Sequence, residues 1–336
     1  MSTIREVAER AGVSTMTVSR VINRSGYISQ ETRARVEMAI AELGYVPNTL
    51  ARSLRFKQTK TLALVITDIT NPFFTTIARG VEDAASDRGF NVIFCNTDES
   101  EEEQIRYLTV LVQKRVDGVL LVPACSSAEP VAFLQGHAIP VVVLDRRLPG
   151  CGVDSVRCDS EAGAYQLVKL LLELGHRRIA ALSGAEMVST ALERVLGYRR
   201  ALAEVGLGDD DALVYHRAFT QVGGFEMAQA ALRTAPRPTA FFAANNFIAI
   251  GAYRALREAG LRVPEDVAMT AFDDLPSALV LEPFFTVAAQ PAYEMGQRAT
   301  QLLLSRLADQ TPAERQEIIL PIELIVRRSS GGALVL

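Results

Sequence analysis

From Thr61 onward the sequence alternates short apolar, β-branched runs with amphipathic helical stretches, a pattern that few folds accept. The runs cover 62–66, 91–95, 118–122, 141–144, 179–182, 240–243 and 267–270, and helical periodicity fills 101–115, 162–174, 195–205 and 248–259. Strands without a polar face are buried on both sides, and strands that alternate with helices form parallel sheets wound with helices on both faces. About eleven strand candidates in roughly 275 residues exceed one ordinary sheet, which predicts two similar lobes with a cleft between them. The longest apolar runs are strand-sized, far below the roughly 18 residues of a membrane span, so no membrane association is expected.

Charge divides the chain differently. The first sixty residues hold ten Lys/Arg against five Glu, a net of +5, while the other 276 hold 25 basic against 34 acidic residues, a net of −9. A basic head on an acidic body is the footprint of a protein that meets a polyanion at one end only. The N-terminus, Met1-Ser2-Thr3-Ile4-Arg5-Glu6, has charges where an export signal needs an apolar stretch, so a cytoplasmic location is expected. Cys95, Cys125, Cys151 and Cys158 form no C-x-x-C pair, and His137, His176 and His216 are widely separated, so free thiols and no metal site are expected.

The head carries a compact set of helix signals. Thr3 followed by Glu6 is a capping box that starts a helix at Ile4. Gly12 turns the chain, Val13 fills the corner and Ser14 caps a second helix with Val18, Val21 and Ile22 inward. A third runs from a Ser29 cap to about Leu43. Two helices joined by a three-residue Gly-containing turn make a helix-turn-helix, whose second helix enters the DNA major groove. Its outward residues, Thr15, Met16, Thr17, Ser19 and Arg20, are small, polar or basic, as base-edge and phosphate contacts require. Pro47-Asn48 then opens a short basic segment through Arg55, too short for a stable lone helix, in which Leu54 is placed to act as a wedge between base steps.

Thr3 to Ala8, Gly12-Val13-Ser14, Thr17 to Asn23 and Pro47-Asn48 to Leu54 together resemble the head and hinge helix of the lactose/purine repressor (LacI) family. The resemblance implies a homodimer that reads a palindromic double-stranded operator, with Thr15, Met16, Thr17, Ser19, Arg20, Asn23, Ala51 and Leu54 on DNA. Met16 departs from the polar side chain common there. The implied organisation is a helix-turn-helix domain at 1–46, a hinge at 47–58 and a two-lobed domain at 59–336. The N-lobe takes about 59–160 and 291–320, and the C-lobe about 161–290 and 321–336.

Ligands of doubly wound sheets sit beyond the carboxyl ends of the strands. There the sequence places Asn71, Phe73, Phe74, Asp145, Arg146, Arg194, Phe219, Asn245, Asp273 and Gln290. Carboxylates, guanidiniums, amides and flat rings are what a polyhydroxylated ring needs. These positions resemble the sugar contacts of bacterial periplasmic ribose-type binding proteins, which implies a pentose or hexose effector, with Phe73 and Phe219 on its faces and the polar groups on its hydroxyls. Asn246 stands where Asp is common. The alternatives are a regulator answering to a purine or phosphosugar co-repressor, a sugar-binding transport component, or an enzyme. Enzyme chemistry lacks its phosphate-loop, dinucleotide, zinc-protease and hydrolase signatures, so neither catalysis nor a cofactor is expected. The Ser329-Ser330-Gly331-Gly332 tail is expected to fray.

Overall fold

A computed structural model describes residues 2–23, 25–46, 58–208, 211–276, 282–308 and 314–332. The chain divides after Thr59 into two compact units. Most of the hinge segment, with the Ala51 and Leu54 assignments, lies outside the described residues.

In the first unit α1 (Ile4–Ala11), α2 (Thr15–Ile22) and α3 (Gln30–Leu43) surround a small core of Val7, Ala8, Ala11, Val18, Val21, Val36 and Ala39. The capping box forms as the sequence dictates. Thr3 Oγ1 accepts from the Glu6 amide at 3.3 Å, and Glu6 Oε2 accepts from the Thr3 amide at 2.8 Å. Gly12 ends α1 at φ 64°, a left-handed conformation that glycine adopts without a Cβ penalty. Ser14 and Ser29 cap the next two helices.

The second unit contains two six-stranded sheets. The first orders β11 (Glu317–Leu320), β5 (Asp154–Cys158), β4 (Val141–Leu144), β3 (Gly118–Leu121), β1 (Thr61–Ile66) and β2 (Asn91–Asn96), all parallel. Helices α4 (Pro72–Ser86), α5 (Glu101–Lys114), α6 (Glu129–Gly136) and α11 (Ala292–Leu307) cover it. The second orders β12 (Glu323–Ile325), β10 (Thr286–Ala289), β9 (Ala268–Phe272), β8 (Ala240–Ala243), β6 (Ile179–Ser183) and β7 (Val214–His216), parallel except where β12 meets β10. Its helices are α7 (Ser160–Glu173), α8 (Ser189–Glu204), α9 (Gln221–Leu232) and α10 (Asn246–Glu258). Each sheet has a hydrophobic core on either face, and the chain passes between sheets three times: β5 to α7, β10 to α11, and β11 to β12.

Three expectations change. The run at 91–95 is an edge strand whose Ile93 and Phe94 are exposed, because nothing pairs beyond it among the described residues. Helix α8 begins at Ser189, six residues before its apolar periodicity becomes legible. The serine tail does not fray through Ser330. Ser329 Oγ donates to the Met269 carbonyl at 2.7 Å and accepts from the Thr286 amide at 2.8 Å, and both serines are buried. Among the described residues no helix is long and apolar enough to cross a membrane.

Candidate functional site

In the first unit, the outward side of α2 exposes Thr15, Met16 and Arg20, with Thr17 and Ser19 half-buried beside them. Thr17 Oγ1 lies 3.0 Å from Ser14 Oγ, which fixes the start of the helix. Asn23 donates to the Ser19 carbonyl at 2.7 Å and to its hydroxyl at 3.2 Å, closing the last turn instead of projecting outward. The exposed group is a methyl-bearing hydroxyl, a thioether and a guanidinium on one helix, able to touch thymine methyls and guanine edges.

In the second unit, a cavity of about 280 Å³ lies where strand ends of the two lobes face each other. It falls near the lower end of the roughly 300–1,000 Å³ typical of small-molecule sites, the scale of one sugar ring. Nine of the ten residues expected there line it: Asn71, Phe73, Phe74, Asp145, Arg146, Arg194, Phe219, Asn245 and Asp273. Gln290 does not. It stands behind Asp273, donating from Nε2 to Oδ1 at 2.7 Å, so it positions that carboxylate.

Local structure explains each placement. Asp145 and Asp273 follow β4 and β9 and adopt φ values of 63° and 67°, left-handed conformations that are uncommon outside glycine, that Asp tolerates better than most residues, and that concentrate at functional sites. Burial raises Asp145 to about 6 against the opposing pull of Arg194 and Arg146, and it raises Asp273 as well. Arg146 extends into the N-lobe, where Nη1 and Nη2 donate to Glu99 at 2.7 and 2.6 Å, and Nη1 also donates to the Pro123 and Ala124 carbonyls. Arg194 projects from α8, its guanidinium carbon 3.9 Å from the Phe272 ring centre and Nη1 donating to the Ala244 carbonyl at 2.6 Å. Asn245 caps α10 through Oδ1, so what remains for a ligand is its Nδ2 donor. Phe73 and Phe74 open α4 edge to face, ring centres 5.1 Å apart. Phe219 lies against Gly184, where a Cβ would fall 2.1 Å from its ring.

Asn71 is more committed than the sequence suggests. Its Oδ1 accepts from the Phe73 amide at 3.0 Å, and its amide pairs reciprocally with Asn246 across the lobes at 3.0 and 3.1 Å. Asp98, Glu99, Thr190 and Thr220 also line the cavity. Sequence reasoning missed them, although Asp98 and Glu99 directly follow β2, where strand-end logic pointed. Buried polar atoms without a protein partner are uncommon. Four of those among the described residues, Thr67 Oγ1, Asp145 Oδ1, Arg146 Nε and Arg194 Nε, belong to residues that line this one cavity. Among the described residues no group of three His, Cys, Asp or Glu could hold a metal ion.

Comparison with known proteins matches residues 59–327 to the family of periplasmic binding proteins and sugar-binding domains of the LacI family, and residues 3–48 to the bacterial regulatory proteins of the lacI family. The ribose operon repressor of Escherichia coli K12 is 37% identical over 323 residues, 96% of this chain and 98% of that protein. The crystal structure of the lac repressor dimer bound to operator and an anti-inducer superposes with a TM-score of 0.85 at 28% identity, covering 98% of this chain and 99% of that one. A LacI-family regulator from Enterococcus faecium with bound ribose gives a TM-score of 0.72 at 33% identity, over 80% of this chain and 98% of that one.

Proposed function

This chain belongs to the LacI family of bacterial regulatory proteins, and from that premise we propose that it is a transcriptional repressor whose operator affinity is set by a pentose, ribose or a close relative, bound between its lobes. It is a regulator and not an enzyme. The four buried polar atoms at one cavity that lack a hydrogen bond among the described residues, two Nε–H donors, a carboxylate oxygen and a hydroxyl, carry the effector reading. They are the complement of a ring of vicinal hydroxyls, each of which both donates and accepts. A purine would instead need a slot with in-plane partners for its ring nitrogens, and the Asp145 and Asp273 carboxylates match hydroxyl donors better. The ribose-bound and ribose-named relatives support the pentose.

Thr15, Met16, Thr17, Ser19 and Arg20 meet the major groove of each half-site, with Asn23 bracing their helix, while Ala51 and Leu54 of the 47–58 hinge act at the central minor groove. Two copies bind a palindromic operator, and the exposed Ile93 and Phe94 of edge strand β2 offer apolar surface for a second copy to cover. The protein works in the cytoplasm, on the nucleoid when bound to DNA. Sugar and operator are linked, so a sugar that weakens operator binding is itself weakened by operator to the same degree.

Calorimetric titration of the full chain with ribose, arabinose, xylose, glucose and hypoxanthine tests the effector. Fluorescence anisotropy on a palindrome selected from random DNA, with and without the sugar that binds, tests the coupling. Pentose binding with a changed operator affinity is expected, and binding of hypoxanthine alone overturns the sugar reading.

A further inference from the structure

We infer that the cleft admits uncharged sugars and excludes their phosphate esters, and that Asp68 and Asp98 at its rim, together with the capture of Arg146 by Glu99, produce the exclusion; the inference rests on the sugar reading of the same cavity. Among the described residues the only cationic side chains lining the cavity are Arg146 and Arg194. A phosphate is best held by the fork of terminal guanidinium N–H groups, which gives two parallel charge-assisted bonds. Arg146 does not present that fork. Both terminal nitrogens of Arg146 are on Glu99, and one of them is shared with two backbone carbonyls. Arg194 spends Nη1 on the Ala244 carbonyl and lays its plane on Phe272. Arg146 is left with its Nε–H alone, 4.0 Å from Asp145 Oδ2, while the charge of Arg194 is set against the Asp145 and Asp273 carboxylates.

Against these two cations the cavity sets five carboxylates: Asp68, Asp98, Glu99, Asp145 and Asp273. Asp68 is held by the Thr70 amide and hydroxyl at 2.8 and 2.6 Å, and Asp98 by Asn96 Nδ2 at 2.7 Å. These partners are neutral, and among the described residues no cation pairs with either carboxylate. Backbone conformation fixes the arrangement, since Asp98 and Glu99 are consecutive left-handed residues at φ 49° and 60°.

Helices α4, α8 and α10 begin nearby and contribute about half a positive charge each at their N-termini, which favours anions. Their effect is reduced because the Asn71 and Asn245 side chains already occupy the Phe73 and Ile248 amides of α4 and α10. A phosphate ester carries a charge of about −1.5 to −2 at pH 7 and would enter past two carboxylates that no cation pairs with, to meet Arg146 already held by Glu99 and Arg194 already facing Asp145 and Asp273. The regulator therefore reads its sugar before an ATP-dependent phosphoryl transfer consumes it.

The test titrates the full-length protein with ribose and ribose 5-phosphate, and with glucose and glucose 6-phosphate, in 50 mM and 500 mM salt. The expected result is a free sugar that binds at least 30-fold more tightly than its phosphate, with a gap that narrows at high salt as the rim is screened. In Asp68→Asn/Asp98→Asn the ratio of the two affinities should fall about tenfold, with circular dichroism and thermal melting confirming the fold. A phosphate ester that binds as tightly as its parent sugar overturns the inference while leaving the sugar reading in place. An unchanged ratio in the double variant overturns the role of the rim. Binding of neither member of either pair overturns the sugar reading and the inference with it.

Discussion

Sugar affinity should fall steeply with acid, and Asp145 sets where. Its carboxyl is buried in the cleft at 6% exposure, raised to about 6, and its Oδ1 has no hydrogen-bond partner among the described residues. The charged groups that act on it are Arg194 and Arg146, which favour ionisation, and Asp273 and Glu99, which oppose it. Hydroxyls that donate to Oδ1 stabilise the carboxylate, so a bound sugar lowers this pKa and binding releases a proton at pH values near 6. The sign follows from linkage: affinity is full where the unliganded group is already ionised and declines as pH falls through its pKa. With a pKa of about 6, roughly half the sites are ionised at pH 6 and about one in eleven at pH 5. Affinity should therefore drop about twofold at pH 6 and about tenfold at pH 5 relative to pH 8, provided the bound pKa lies well below 5. Asp145→Asn removes this titrating group and a charged acceptor worth about 1.5–3 kcal/mol, so it should bind roughly 10- to 150-fold more weakly and lose the drop centred near pH 6, leaving only the acid dependence of Asp273, which burial also raises. Titration calorimetry in buffers of different ionisation enthalpy measures both the affinity and the protons released. A flat wild-type profile, or a profile that Asp145→Asn leaves unchanged, refutes the assignment.

Three further outcomes are expected. Gly184→Ala sets a Cβ 2.1 Å from the Phe219 ring and must displace it, so titration calorimetry should show sugar affinity at least tenfold lower. Gly296→Ala directs a Cβ at the Ile77 carbonyl oxygen, 2.2 Å away on α4, and backbone cannot yield as a side chain can. An overpacking cost of about 2–3 kcal/mol should lower the melting temperature by roughly 3–5 °C in calorimetry. Arg20→Ala should weaken specific operator binding by about 1–3 kcal/mol and relax preference at one base position, read by anisotropy against a panel of substituted operators.

The head was legible in detail because its signals are local. Capping at Thr3, Ser14 and Ser29 and the turn at Gly12 involve residues within a few positions of each other, and the structure forms each of them. The body's strands were legible as runs, but their burial was not. Ile93 and Phe94 look like core residues, and the absence of a neighbour beyond β2 among the described residues leaves them exposed. The cleft set was largely visible because residues after parallel strands share one end of a sheet. Pairing across the fold was hidden. Nothing in the sequence marks Glu99 as the partner of Arg146, 47 positions away, or Ser329 as the ligand of two strands far upstream. Asn246 drew notice only as a departure from a common Asp, and its reason lies 175 residues away.

That reason bears on how sugar can move a switch. Asn71 cannot rotate its amide freely, because Oδ1 also takes the Phe73 amide, so its Nδ2 must face position 246 and its Oδ1 needs a donor there. Asparagine supplies both an acceptor and a donor, whereas an ionised aspartate supplies acceptors alone and would set an oxygen against Oδ1. Across the same cleft the Ser126 amide donates to the Met187 carbonyl at 3.0 Å and the Arg147 amide to Ser189 Oγ at 2.8 Å. These contacts join the lobes through protein atoms alone, so closure has a stabilisation of its own, about 0.5–1.5 kcal/mol net per bond. A sugar shifts the lobes only by the difference between its affinities for the closed and open arrangements, however tightly it binds. The more the amide pair holds the lobes closed by itself, the less of the sugar's binding energy is spent on closure and the tighter it binds. The change in closed population that the sugar can pass to DNA shrinks in step. Position 246 therefore trades sensitivity against amplitude, and the asparagine here lies on the side of sensitivity.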